Sequence, residues 1–181
     1  MIADLFDEKE KKILELESRK RVYEVVKKFA GCHFREIERK SSLPTGTVKY
    51  HLSYLAKHDL IKEDKDENNI RYFPKEFKLE NKKIMILLRQ KKIREIILCI
   101  LLYPDYNHEQ ISQMVKVSPS TVSWHLKKLE EDKVISYIKK GRKKFYSILI
   151  DKDEIVKLLI VYKESFLDSL VNRVIEMWEM N

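Results

Sequence analysis

The stretch Thr121-Val122-Ser123-Trp124-His125-Leu126-Lys127-Lys128-Leu129 repeats an earlier one, Thr47-Val48-Lys49-Tyr50-His51-Leu52-Ser53-Tyr54-Leu55, at an offset of 74 residues (51 to 125). Working outward, the same offset aligns Val22 with Ile96, Val26 with Ile100, Phe29 with Tyr103, Ile37 with Ile111, and Leu60-Ile61 with Val134-Ile135. One extra residue in the first copy is then expected to bring Tyr72-Phe73 level with Phe145-Tyr146. Apolar register held over such a span marks a duplicated small domain, since a solenoid needs three or more units.

Each copy reads the same way. An apolar-periodic helix (about Ser18 to Ala30, and Lys83 to Tyr103) precedes a short break and a second short helix. In the second copy Asn107 and Gln110 have the spacing of a capping box. A tight turn leads to a third helix at Pro44-Thr45 or Ser118-Pro119, the latter an N-cap serine with proline at the first helical position. Two short β-runs close each unit, Ile61 to Asp64 with Ile70 to Phe73, and Ile135 to Ile138 with Lys144 to Ile148. Three helices and a hairpin make a winged helix-turn-helix. The predicted class is mainly α with small β-wings (α+β), in two tandem winged-helix domains, 1–79 and 80–150, followed by one long C-terminal helix over 151–181.

Residues 118–135, Ser-Pro-Ser-Thr-Val-Ser-Trp-His-Leu-Lys-Lys-Leu-Glu-Glu-Asp-Lys-Val-Ile, resemble the recognition helix and strand start of ArsR-like winged-helix regulators. The doubled arrangement is similar to the tandem winged-helix transcription regulators common in archaea. The resemblance covers about residues 15–150 and implies sequence-specific binding of double-stranded DNA, with the third helix in the major groove and the wing near the backbone.

A helical wheel at about 100° per residue places Val122, His125, Leu126 and Leu129 inward, and Ser120, Trp124 and Lys127 outward, flanked by Ser123 and Lys128. In the first copy Val48, His51, Leu52 and Leu55 face in, Gly46, Tyr50 and Ser53 face out, and Lys49 and Tyr54 flank them. Small hydroxyls suit base edges, cations suit phosphates and an aromatic ring suits a thymine methyl. The candidate DNA-contacting residues are therefore Thr45, Thr47, Lys49, Tyr50 and Ser53 in one copy, and Ser118, Ser120, Thr121, Ser123, Trp124, Lys127 and Lys128 in the other. An outward Tyr or Trp equally suits a protein partner, so a scaffold associated with the transcription machinery stands as the alternative. His51 and His125, facing in, read as packing residues rather than ligands.

The wings differ in charge. Residues 139–144 supply Lys139, Lys140, Arg142, Lys143 and Lys144 around Gly141, a plausible phosphate clamp. The stretch 62–71 sets Glu63, Asp64, Asp66 and Glu67 against three cations. The second wing is predicted to hold the DNA backbone and the first is not.

Composition bounds the rest. The chain has 181 residues, a net charge of +8, 44% hydrophobic and 36% charged residues, and only 3 Gly, 4 Pro and 2 Cys. The apolar fraction argues against disorder, and the scarcity of Gly and Pro against a loop-rich sandwich. Met1 to Glu10 is acidic and no apolar run is long enough to span a bilayer, so a cytoplasmic protein without a membrane role is expected. Cys32 and Cys99 stand apart with no Cys-x-x-Cys spacing, and no Gly-rich phosphate loop, Gly-x-Ser-x-Gly or His-Glu-x-x-His occurs. No metal, cofactor or catalytic residues are expected, and the chain is not read as an enzyme.

In the last segment Ile155, Leu159, Tyr162, Phe166, Leu170, Val174 and Met177 follow 4-3-4-4-4-3 spacing, widened by Leu158, Val161 and Leu167. Such a stripe needs cover, from its own domains or from a second chain, and the resemblance favours a homodimer, to which Leu5, Phe6, Ile13 and Leu14 could add. Residues 151–181 carry four cations and seven acids, a net of −3, which leaves +11 on residues 1–150.

Overall fold

A computed structural model describes residues 8–66, 69–166 and 169–180. Leu5, Phe6, Glu67 and Leu167, each given a part above, lie outside the described residues. The chain divides between Lys82 and Lys83 into two compact units.

The first unit holds α1 (Glu8–Ile13), α2 (Glu17–Lys28), β1 (Cys32–His33), α3 (Phe34–Ser41), α4 (Thr45–Lys57), β2 (Ile61–Asp66) and β3 (Asn69–Pro74). Its core gathers Val22, Val26, Ile37, Val48, Leu52 and Leu55, the apolar positions of successive helices, with Ile61 from the first strand of the hairpin. Ile13 and Leu14 belong to this core, so they are not free for assembly as expected above. The three strands form one antiparallel sheet in the order β1-β3-β2.

In the second unit the expected helix from Lys83 to Tyr103 divides at Gln90, whose extended backbone (ψ 105°) separates α5 (Lys82–Arg89) from α6 (Lys91–Leu102). There follow α7 (His108–Val115), α8 (Pro119–Glu131), and the hairpin β4 (Ile135–Lys140) and β5 (Lys143–Ile148). The capping box is complete: Asn107 Oδ1 accepts from the Glu109 and Gln110 amides, and Gln110 Oε1 accepts from the Asn107 amide at 2.9 Å.

The duplication extends to the backbone. Positive φ recurs at the same offset in Gly31 and Asp105, Ser42 and Lys116, and Asp59 and Lys133. Ser42 and Lys116 end the second helix in the left-handed conformation that a tight helix-turn-helix corner demands. The offset of 74 also carries through both wings without the extra residue expected above. Ile61 pairs with Pro74 as Ile135 pairs with Ile148, so Tyr72 matches Tyr146 and Phe73 matches Ser147. Matching aromatic side chains alone misplaces the register by one residue, which strand pairing forbids because a one-residue slip turns every side chain to the other face.

The C-terminal segment is not one long helix. It forms α9 (Lys152–Val161), a 3₁₀ turn over Lys163–Ser165, and α10 (Ser169–Glu179), and α10 lies against both α6 and α9. Ile155, Leu159, Tyr162, Phe166 and Val174 are buried within the chain, Leu170 and Met177 are half-buried, and the second helix buries Val171 and Ile175 instead. The predicted dimerisation stripe is thus core of the second unit, not an interface. Length supplies the reason. A straight helix of 30 residues would run about 45 Å, against about 18 Å for the 12 residues of α6, and would leave most of its apolar face uncovered. Folding back lets both pieces bury theirs. Buried Arg94 sits over the Phe166 ring at 5.3 Å and donates to the Leu88 carbonyl at 2.6 Å, while Arg173 donates to the Tyr103 hydroxyl at 2.6 Å.

Candidate nucleic-acid interface

Burial of Val122, Leu126 and Leu129 fixes the rotation of α8 and leaves Ser120, Thr121, Ser123, Trp124 and Lys127 exposed, with Lys128 half-buried. Trp124 is 61% exposed, and the Lys128 ammonium lies 5.8 Å from its ring. At the helix start Ser118 Oγ accepts from the Thr121 amide and stands 2.8 Å from Thr121 Oγ1 and 3.1 Å from Ser120 Oγ. Three hydroxyls therefore cluster at the end of the helix that would enter a groove first.

α4 repeats the arrangement. Burial of Val48, His51, Leu52 and Leu55 leaves Thr45, Lys49, Tyr50 and Ser53 exposed, Tyr50 by 58%. Two of the predicted positions are placed differently. Thr47 is half-buried, and the Thr45 hydroxyl donates to the Glu38 carboxylate, fastening α3 to α4. That bond, helped by Arg35 at 3.1 Å, holds the Glu38 carboxyl below the usual carboxylate range. Tyr54 and His58 continue an aromatic row one and two turns on, with the Arg19 guanidinium 3.7 Å from the Tyr54 ring centre.

The two hairpins differ as their charges suggest. In the second, Gly141 and Arg142 form the two-residue tip, and only Gly141 has positive φ (63°), the φ pattern of a type II′ turn. Lys144 pairs with Glu130 at 3.7 Å and lies 3.6 Å from the Tyr137 ring centre, and Lys140 sits 5.3 Å from that of Phe145. Lys139, Arg142 and Lys143 are exposed and have no ionic partner among the described residues. These three border an open groove of about 830 Å³ whose other wall carries Ser123 and Lys127. In the first hairpin the cations are occupied. Lys62 donates to the Lys75 carbonyl at 2.5 Å, Lys65 pairs with Glu63 at 3.7 Å, and Arg71 donates to the Gly31 carbonyl at 2.9 Å.

His51 and His125 pack beneath the outward faces. Ser18 Oγ lies 2.8 Å from His51 Nε2, while Nδ1 of each ring is buried with no hydrogen-bond partner among the described residues. Burial, and then the nearby Arg19 for His51 and Lys128 for His125, push both pKa values below the ordinary 6.5. The folded state thus holds fewer protons than the unfolded chain just below that value, so stability is full above about pH 6.5 and falls as the pH drops toward the folded pKa, by at most about 1.4 kcal/mol per pH unit for each ring. Urea midpoints at pH 7.5 and 5.5 should show the loss, and His51→Gln should reduce it.

Sequence reasoning missed His108, at the first position of α7. Its Nε2 lies 3.0 Å from the Pro119 carbonyl and 2.8 Å from Ser123 Oγ, joining the second helix to the third on the groove side. The contact spans 15 residues, and only an explicit search for polar side chains flanking the helix-turn-helix corner would have raised it. Among the described residues no three His, Cys, Asp or Glu gather as a metal site, and no helix is long and apolar enough to cross a membrane.

Two recognition helices, each set by a left-handed corner and followed by a hairpin, define a protein built from tandem helix-turn-helix DNA-binding modules. Comparison with known families agrees. Residues 16–85 match an N-terminal HTH domain family, and residues 89–136 match the winged helix-turn-helix DNA-binding family. The chain is similar to an uncharacterized HTH-type transcriptional regulator of Methanocaldococcus jannaschii, 27% identical over 139 residues. That match covers 77% of this chain and 35% of the relative, so the chain spans about a third of the protein it resembles.

Proposed function

We propose that the chain regulates transcription by occupying sequence-specific sites on double-stranded DNA, reading them through α8 and α4 in the manner of ArsR-like and archaeal tandem winged-helix regulators. The observation that carries this reading is the groove of the second unit, where Lys139, Arg142 and Lys143, unpaired among the described residues, stand opposite Ser123 and Lys127. A hydroxyl and a lysine on one wall with cations on the other are what base edges and phosphates require. The reading modules correspond to 1–79 and 80–150, and the action needs no catalytic step and no cofactor. The cytoplasm is the compartment.

The regulator acts as a homodimer in this reading. Because the 155–177 stripe is buried, the contact falls to the outer face of α9, where Ile160 is 45% and Val161 70% exposed. Selection of bound duplexes from a random pool, followed by titration at low and physiological salt, tests the reading: a defined consensus supports it. Exposed Tyr50 and Trp124 favour a second reading, a scaffold that docks on the transcription machinery, and absence of duplex affinity even at low salt would select it.

A further inference from the structure

We propose that His108 is a positioning residue that donates to one lone pair of the Ser123 hydroxyl and so leaves the hydroxyl proton aimed into the groove, at an acceptor atom on DNA. This rests on the DNA-binding reading above.

The Pro119 carbonyl can only accept. A ring nitrogen 3.0 Å from it must carry a hydrogen, because a bare nitrogen would set lone pair against lone pair. His108 Nε2 is therefore the protonated nitrogen. The carbonyl has a second lone pair, so this bond does not displace the helical one that α8 gives it from the Ser123 amide. Ser123 Oγ lies 2.8 Å from the same Nε2–H and can only accept from it. The hydroxyl proton is left over. Ser123 Oγ has no other partner among the described residues, is exposed, and lines the groove beside Lys127. Its hydrogen is thus offered outward.

A free serine hydroxyl rotates among its roles; here one of its two lone pairs is engaged by His108 and its proton is set outward before DNA arrives, which removes part of the ordering cost of binding. The outward proton finds its complement in purine N7, guanine O6, thymine O4 or a phosphate oxygen, whereas a cytosine or adenine amino group would leave it unused. The first unit lacks the device, because Phe34 and Lys49 occupy the equivalent positions.

Long-range proton–nitrogen NMR of the free chain should show His108 protonated at Nε2, and a ring protonated only at Nδ1 would overturn the proposal. Ser123→Ala should weaken the best duplex about 5- to 10-fold, the effect of one hydrogen bond. Loss confined to some sequences assigns the acceptor to a base, uniform loss assigns it to phosphate, and no loss contradicts the donor role. His108→Phe keeps a ring there, as Phe34 does in the first unit. It should match the Ser123→Ala loss on its own, add nothing in the Ser123→Ala background, and leave the melting temperature nearly unchanged, while His108→Gln, whose amide also donates, should recover most of the affinity. Additive losses would show that His108 and Ser123 act separately and would sink the proposal. If the native chain bound no duplex at low salt, the DNA reading itself would fall, whatever the His108 tautomer.

Discussion

Replacing Lys139, Arg142 and Lys143 together by Gln should weaken duplex binding about 100-fold or more near 0.1 M salt and flatten the salt dependence by up to about 2.7 in log–log slope, about 0.9 for each phosphate no longer neutralised. These three cations have no ionic partner among the described residues and border the groove, so their removal touches binding and not folding. Lys144 is a poorer target, because its ammonium is already engaged by Glu130 and the Tyr137 ring. The matched control, Lys62→Gln with Lys65→Gln, should change neither slope nor affinity appreciably, since those side chains already serve the Lys75 carbonyl and Glu63. Equal effects from both hairpins would refute the asymmetry.

The second large effect concerns the tail. Phe166→Ala should cost about 3–5 kcal/mol of stability, the usual range for emptying a fully buried phenylalanine site. Phe166 is 1% exposed and lies under the Arg94 guanidinium, so the substitution removes both packing and a cation–π contact. Urea unfolding of the variant should give the same loss at every protein concentration, because the residue is covered by its own chain. A loss that shrank as concentration rose would instead place Phe166 at an interface between copies.

The contrast between these two regions shows what a single sequence can disclose. The helix-turn-helix units were legible because the chain states them twice: inward Val122 and Leu126 repeat inward Val48 and Leu52, and each outward face is what remains. The hairpin charges were legible for a similar reason, as five cations around Gly141 have no acid nearby in the chain. The tail was not legible in the same way. A 4-3-4-4-4-3 stripe looks alike on one helix and on two that fold together, and the step from Phe166 to Val171 and Ile175 becomes visible only once α6 is known to be short. His108 was hidden because its role is tertiary, fixed by the corner that brings α7 against the first turn of α8. Charge explains the remainder. Of the surplus of +11 over residues 1–150, residues 139–144 of the second hairpin carry +5 while residues 62–71 of the first carry −1, so net charge alone could not say where an anionic polymer would lie.

The central claim is that α8 and the second hairpin together form a surface for duplex DNA. The most direct measurement is titration of a selected duplex into nitrogen-15-labelled chain, following backbone amides. Large shifts are predicted at Ser118–Ser123, Trp124, Lys127 and the tip at Gly141–Arg142, with little change along β2 and β3. Shifts confined to Tyr50 and its neighbours, or none in α8 and the hairpin tip at low salt, would contradict it.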